Sequence, residues 1–155
     1  MNSPKPKAAK GSTRPIAAAK RAQIERSFDA QTMMATLGAQ ILELAEGHCV
    51  LGAPIAEGLR QQHGFGHAAL TFALGDVAAG YAALSRIEDG MEVLTAEMKI
   101  NLIAPCTGGP LRAVGKVIKA GRRLVITQSE VFVDRPEGET LIALLQGTMV
   151  PAKSD

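Results

Sequence analysis

Aromatic residues are scarce in this 155-residue chain: they make up 3%, with no tryptophan and a single tyrosine. A surface that binds single-stranded nucleic acid by stacking bases on aromatic rings is therefore poorly supplied. Cysteine is nearly absent. Cys49 and Cys106 are the only two, no CxxC spacing occurs, and neither a zinc knuckle nor a disulfide framework is suggested. Long apolar runs are also missing. The best candidate, from Ala68 onward, is interrupted by Asp76 before it reaches the ~18 uncharged residues of a membrane span. Acidic residues are absent from positions 1–24, which carry Lys5, Lys7, Lys10, Arg14, Lys20 and Arg21. The remainder holds 11 basic and 15 acidic residues, so the net charge of +2 belongs to the N-terminal segment rather than to the fold. That segment lacks an apolar h-region, and the expectation is a cytoplasmic protein. Residues 1–20 are expected to be a flexible basic tail and residues 21–155 a single domain. Hydrophobic residues at 46% suffice for its core.

What is present is organised around Gln61 to Tyr81, QQHGFGHAALTFALGDVAAGY. Apolar residues at Ala69, Phe72, Ala73, Val77, Gly80, Tyr81 and Leu84 follow helical spacing. Their neighbours are mostly apolar too, so the helix is expected to be buried on most sides. A lone carboxylate in such a helix is costly unless it is paired or hydrogen-bonded. Gly75 and Gly80 weaken the helix further. An acid and two glycines kept there point to close approach or to chemistry.

Upstream, Arg21 to Leu37 reads as one amphipathic helix with Ile24, Phe28, Gln31 and Met34–Ala35 on one face and Gly38 at its end. Two short strands follow within Ala39 to Ile55, with Gly47 at the turn between them. His48 and Cys49 are adjacent and would point to opposite faces, which makes them a poor metal pair. Downstream lie four strands, Met91 to Ala104, Leu111 to Lys119, Arg123 to Val133 and Thr140 to Val150, expected as an antiparallel meander. In the first of these, strict alternation puts Leu94, Ala96, Met98, Ile100 and Leu102 towards the core. Thr95, Glu97, Lys99 and Asn101 then take the other face. The class is α+β, an antiparallel sheet curled round one long central helix.

These residues resemble the phenylacetic-acid-degradation-type (PaaI-like) acyl-CoA thioesterases of the hotdog fold. The family reads HGG or HAG, an apolar run, and an Asp nine residues after the His. Here His67-Ala68-Ala69, LTFALG and Asp76 stand in that pattern. TAEMKINLIAP, Thr95 to Pro105, resembles the strand that follows, and KAGRRL, Lys119 to Leu124, the next hairpin. The match covers about residues 30–150, and the two alanines are its departure, with consequences for substrate size. The resemblance implies that Asp76 is general base or nucleophile and that the Ala68 amide lies in the oxyanion hole. It implies that Gln61 orients the water or the acid and that Thr95 hydrogen-bonds the attacking water. His67 takes the place of the motif histidine, to fix the loop or to touch substrate. Lys99, Asn101, Arg122 and Arg123 are candidates for the phosphates and pantetheine of coenzyme A. Coenzyme A is part of the substrate; no separate cofactor or metal is expected.

Residues 68 and 76 are separated by about 12 Å along a helix axis. Reacting groups must meet at about 3–3.5 Å. One helix therefore cannot supply both parts of one site, and a two-fold homodimer with shared sites resolves the difficulty. A dimer of such dimers is the expected assembly; membrane and nucleic acid are not expected partners. The competing readings are a hotdog protein that holds acyl-CoA or an aromatic ligand without turnover, and a dehydratase or hydratase. The latter group uses an H-x-x-x-x-P-G element, which is lacking here.

Overall fold

The computed structural model describes residues 14–153. Two short helices come first, α1 (Ala18–Asp29) and α2 (Thr32–Leu37), then the hairpin of β1 (Gln40–Ala45) and β2 (His48–Ala53). After a 3₁₀ turn at Glu57–Leu59 comes α3 (Ala68–Leu84), and four strands complete the chain: β3 (Met91–Leu102), β4 (Leu111–Ala120), β5 (Val125–Val133) and β6 (Thr140–Lys153). All neighbouring strands are antiparallel, in the order β1-β2-β4-β5-β6-β3.

The sheet wraps α3. Leu70, Leu74, Ala78, Ala82 and Leu84 are buried in one core with Leu51, Leu111, Ala113, Val131 and Leu145 from four of the strands. That explains why α3 is apolar on most of its circumference. The closest approach is at Gly115 of β4: a Cβ there would stand 2.2 Å from the Ala78 carbonyl oxygen. Gly75 is also tight, against Leu145, whereas a Cβ at Gly80 would meet nothing closer than Val93 at 4.0 Å. Close approach thus explains one of the two helix glycines, and the tightest glycine lies on the strand. Gly115→Ala is expected to destabilise the fold by about 1–3 kcal/mol, because the helix must lift from the sheet. A thermal or urea unfolding curve unchanged from the parent would contradict this contact.

Four expectations need correction. The expected single helix over 21–37 is two helices, broken at Ala30 and Gln31. Phe28 and Met34 are both buried but six residues apart, which puts them on different faces of a continuous helix; the break lets both reach the core. Second, the basic tail does not extend to residue 20. Lys20 lies in α1, is only 6% exposed, pairs with Asp89 at 2.9 Å and donates to the Glu88 carbonyl at 3.2 Å. Residues 14–19 of that expected tail are described as well, the last two in α1, and residues 1–13 lie outside the described residues.

Third, the last four strands are not a simple meander. β4, β5 and β6 are, but β3 crosses the sheet to pair with β6 and forms its far edge. Fourth, β3 does not alternate strictly. Its register slips at Ala96, between Thr95 and Glu97. The extra residue of a bulge reverses which side chains face the core. Val93 packs inward before the slip and Met98 and Ile100 after it, while Leu94 is 62% exposed. Thr95 therefore faces α3, and Lys99 and Asn101 occupy the opposite face of the sheet.

Candidate active site

α3 carries one stripe that its own sheet does not cover. Ala68 and Phe72 are exposed, and Asp76, Val77 and Gly80 half-buried, at intervals of about four residues. Four residues advance a helix by about 400°, so these positions share one face. Asp76 sits midway along it. The Thr95 hydroxyl, turned to the helix by the bulge, donates to Asp76 Oδ1 at 2.8 Å. Burial pushes the Asp76 carboxyl above the ordinary aspartate range, and the Thr95 bond offsets this in part.

The acid lies in a hollow of about 180 Å³. Ser27, Gln31, Val77, Tyr81 and Glu92 share its lining. Gln31 donates to the Tyr81 hydroxyl at 2.6 Å, and that hydroxyl donates to Ser27 Oγ at 3.2 Å. The Tyr81 ring is held edge-on by Phe28, 5.8 Å between centroids. Burial raises the Tyr81 hydroxyl's affinity for its proton, against the two hydrogen bonds. The sequence marks this polar group only through Gln31, a polar residue on the expected apolar face of the N-terminal helix, and nothing in it singles out Ser27.

The second half of the site is at the start of α3. His67 is its N-cap: Nδ1 accepts from the Ala69 N–H at 3.0 Å. The His67 carbonyl accepts from Leu70 N at 3.0 Å and Thr71 N at 3.4 Å. The Thr71 bond is the first of the helix's own. Of the four amides before it, His67 to Leu70, which lack such a partner, three are occupied, His67 N–H by the Leu59 carbonyl at 2.9 Å. Among the described residues, the Ala68 N–H is the one left without an acceptor. The positive end of the helix dipole adds to its pull on a negative charge placed there.

Ala68 lines a separate hollow of about 370 Å³ with Gln61, Phe65, Thr71, Ile103 and Cys106. Gly66 donates to the Cys106 carbonyl at 2.8 Å, and a Cβ at Gly66 would fall 2.4 Å from Cys106 Sγ. Only glycine fits there. The Cys106 thiol is raised by burial, partly offset by a hydrogen bond with Thr71. Gln61 folds back, its side-chain oxygen accepting from the His63 amide. Within one chain, then, Asp76 and Thr95 meet, Gln61 and Ala68 share a hollow, and the two pairs lie apart. Neither alanine of the motif is strained: no non-glycine residue described has positive φ.

The proposed coenzyme A contacts divide. Lys99 and Asn101 are exposed on the sheet face away from α3. Arg122 and Arg123 are exposed in the β4–β5 hairpin, at the end of the sheet where Thr95 pairs with Met149 and Met149 with Val125. Arg122 also lines a groove of about 440 Å³ with Arg86, Ile87, Met91 and Pro151. Among the described residues, no three His, Cys, Asp or Glu side chains cluster closely enough to hold a metal ion, and no helix is long and apolar enough to cross a membrane.

A sheet wrapped round one helix, with an acid at the helix midpoint and a free amide at its start, defines a hotdog-fold protein of the thioesterase type. The profile of the thioesterase superfamily matches residues 63–139, which hold Ala68, Asp76 and Thr95 but not Gln61. A thioesterase family protein from Silicibacter pomeroyi is 36% identical, with a TM-score of 0.85 over 87% of this chain and 99% of that one. A conserved protein of Pseudomonas aeruginosa is 30% identical, with a TM-score of 0.73 over 81% of this chain and 98% of its own. The PaaI protein of the Escherichia coli phenylacetic acid degradation operon shares the fold at 21% identity, TM-score 0.75, over 89% of this chain and 96% of that one. Two curated relatives from Saccharolobus solfataricus are 30% and 32% identical; the chain spans just under two thirds of their lengths, 66% and 63%. The chain belongs to the thioesterase superfamily, whose enzymes hydrolyse thioesters.

Proposed function

We propose that the protein hydrolyses a small aryl- or medium-chain acyl-CoA to the free acid and coenzyme A. The observation that carries this reading is Asp76: a half-buried carboxylate in an apolar helix, held by a single threonine hydroxyl at 2.8 Å. Such a group retains ionic character with little solvation, which suits a base or nucleophile. Ionised Asp76 takes a proton from water as the water oxygen adds to the thioester carbon, or it attacks that carbon itself. The carbonyl oxygen becomes an oxyanion, stabilised by the Ala68 N–H. Collapse breaks the carbon–sulfur bond and expels the coenzyme A thiolate. Where water attacked, this leaves the free acid; where Asp76 attacked, it leaves an acyl-aspartyl anhydride that a water then hydrolyses to the free acid and the regenerated carboxylate. A panel of acyl-CoAs with free thiol as the readout tests the activity and names the acyl group; no thiol release across the panel would refute it.

Each active site is shared between two subunits of a homodimer. Support comes from the ~12 Å between the Ala68 amide and Asp76, from the two separate hollows, and from two uncovered features, the α3 stripe and the free edge of β3. Antiparallel packing of two α3 stripes brings the Ala68 amide and Gln61 of one chain to Asp76 and Thr95 of the other. Dimers of dimers are the proposed larger assembly.

The acid limb of the pH–rate profile is expected above the ordinary aspartate range of ~3.9, because burial raises Asp76 and turnover needs it ionised. Activity then falls as pH drops through that raised value. A kcat profile flat down to the range of a free aspartate would contradict the assignment.

Arg122 and Arg123 are proposed to meet the coenzyme A phosphates. Replacing both with Ala is expected to raise KM for acyl-CoA, with no change for a truncated thioester lacking the nucleotide. Salt should weaken coenzyme A binding to the parent more than to the variant. Equal effects on the two substrates would move the contact to Lys99 and Asn101.

A further inference from the structure

We infer that His67 is a positioning residue that acts through the Ala69 amide, singling out the Ala68 N–H as the oxyanion donor. The inference rests on the thioesterase reading and extends it to a residue whose task was open, between fixing the loop and touching substrate.

The hydrogen bonds of His67 are almost fully committed. Its own N–H donates to the Leu59 carbonyl at 2.9 Å, and its carbonyl accepts from Leu70 and Thr71. Nδ1 accepts from Ala69 N at 3.0 Å. An accepting Nδ1 carries no proton, so the neutral ring holds its proton on Nε2. The preceding residue is pinned as well, by the Gly66 bond to Cys106 and by the absence of room for any side chain. Chain entry and first turn are therefore locked from both sides of position 67.

The consequence is selective. Without the cap, Ala69 would offer a second free donor beside Ala68, and the first turn would be free to fray. With it, one amide is left over and its direction is set before substrate arrives. Preorganised donors are what an oxyanion site needs, because reorganisation at the moment of reaction is avoided. The effect belongs to the transition state, so it should appear in kcat rather than in KM.

The two possible tasks of His67 separate by substitution. Serine is a good N-cap, accepting from the second or third amide of the helix, but it does not reach where Nε2 lies. Alanine neither caps nor reaches. His67→Ala is expected to lower kcat at least about tenfold with KM little changed, since a donor displaced by even 1 Å is costly. His67→Ser is expected to recover most of that loss. If His67→Ser is as poor as His67→Ala, the ring itself touches substrate and the inference is overturned.

Two readouts do not depend on turnover. Nitrogen-15 NMR of the histidine ring should show Nδ1 as the unprotonated nitrogen. Amide exchange at Ala69 should be slow in the parent and in His67→Ser, and fast in His67→Ala. A ring protonated on Nδ1, or fast exchange in the parent, refutes the cap. A parent that cleaves no acyl-CoA refutes instead the thioesterase reading.

Discussion

Replacing Asp76 with Asn is expected to lower kcat by at least the ~10²-fold of a lost general base, with the fold intact. Asparagine keeps the size of the side chain, and its carbonyl oxygen can still accept the Thr95 hydroxyl, which stands 2.8 Å from Oδ1 in the parent. What disappears is the capacity to take a proton or attack as an anion. Stability should move the other way. The folded-state pKa of Asp76 is raised, so its protonated form is the one the fold favours. The associated stability is present below the unfolded-state pKa and lost as pH rises through the folded one. At neutral pH the ionised acid is therefore a burden, and the Asn variant should melt at or above the temperature of the parent. Loss of activity with a lowered melting temperature would point to misfolding; full activity in a folded Asn variant would remove Asp76 from the mechanism.

Mixing two inactive variants is expected to restore activity. One carries Asp76→Asn. The other carries Gln61→Ala together with Ala68→Leu, which fills the space at the helix start. Unfolded and refolded together, they form mixed dimers as well as the two parental kinds. In a mixed dimer one shared site holds both defects and the other holds none. Activity should therefore return to about half the parent value per mixed dimer, the share that two-fold symmetry assigns to one of two equal sites. Were Asp76 to work with the Ala68 amide of its own chain, every chain in the mixture would be defective. The separation argues against that: eight helical residues span ~12 Å, several times the distance over which a base and an oxyanion donor act on one carbonyl. No recovery, in a sample shown by mass to contain mixed dimers, would refute the shared site.

Much of this was legible without coordinates, for identifiable reasons. The central helix announces itself because α3 is wrapped by strands on several sides, and a helix so covered must be apolar around most of its surface. Asp76 stands out against that background because an acid in such a stretch is costly. The hairpins at Gly47 and Gly121 are marked by glycine. These are local rules of period and turn chemistry, which a single chain carries in its own order of residues.

Other features depended on groups far apart in sequence. The bulge at Ala96 leaves no mark in TAEMKINL, where alternation looks unbroken; it arises from how β3 meets β6. Yet that single extra residue turns Thr95 to the helix, and without it the Asp76 bond could not form. The place of β3 beyond β6 is likewise decided by the crossover, not by the strand. Ser27 lines the acid's hollow from the last turn of α1 and Gln31 from the break that follows it, a break that lets Phe28 and Met34 both be buried. The histidine of the motif is visible in sequence, but whether its ring caps the helix or faces outward is a matter of one torsion and one amide, at 3.0 Å. Period and composition determined which residues are apolar, where the chain turns and which acid is out of place. Packing between distant segments decided which way the polar side chains point, because a side chain's direction is set by the partner strand or helix it meets.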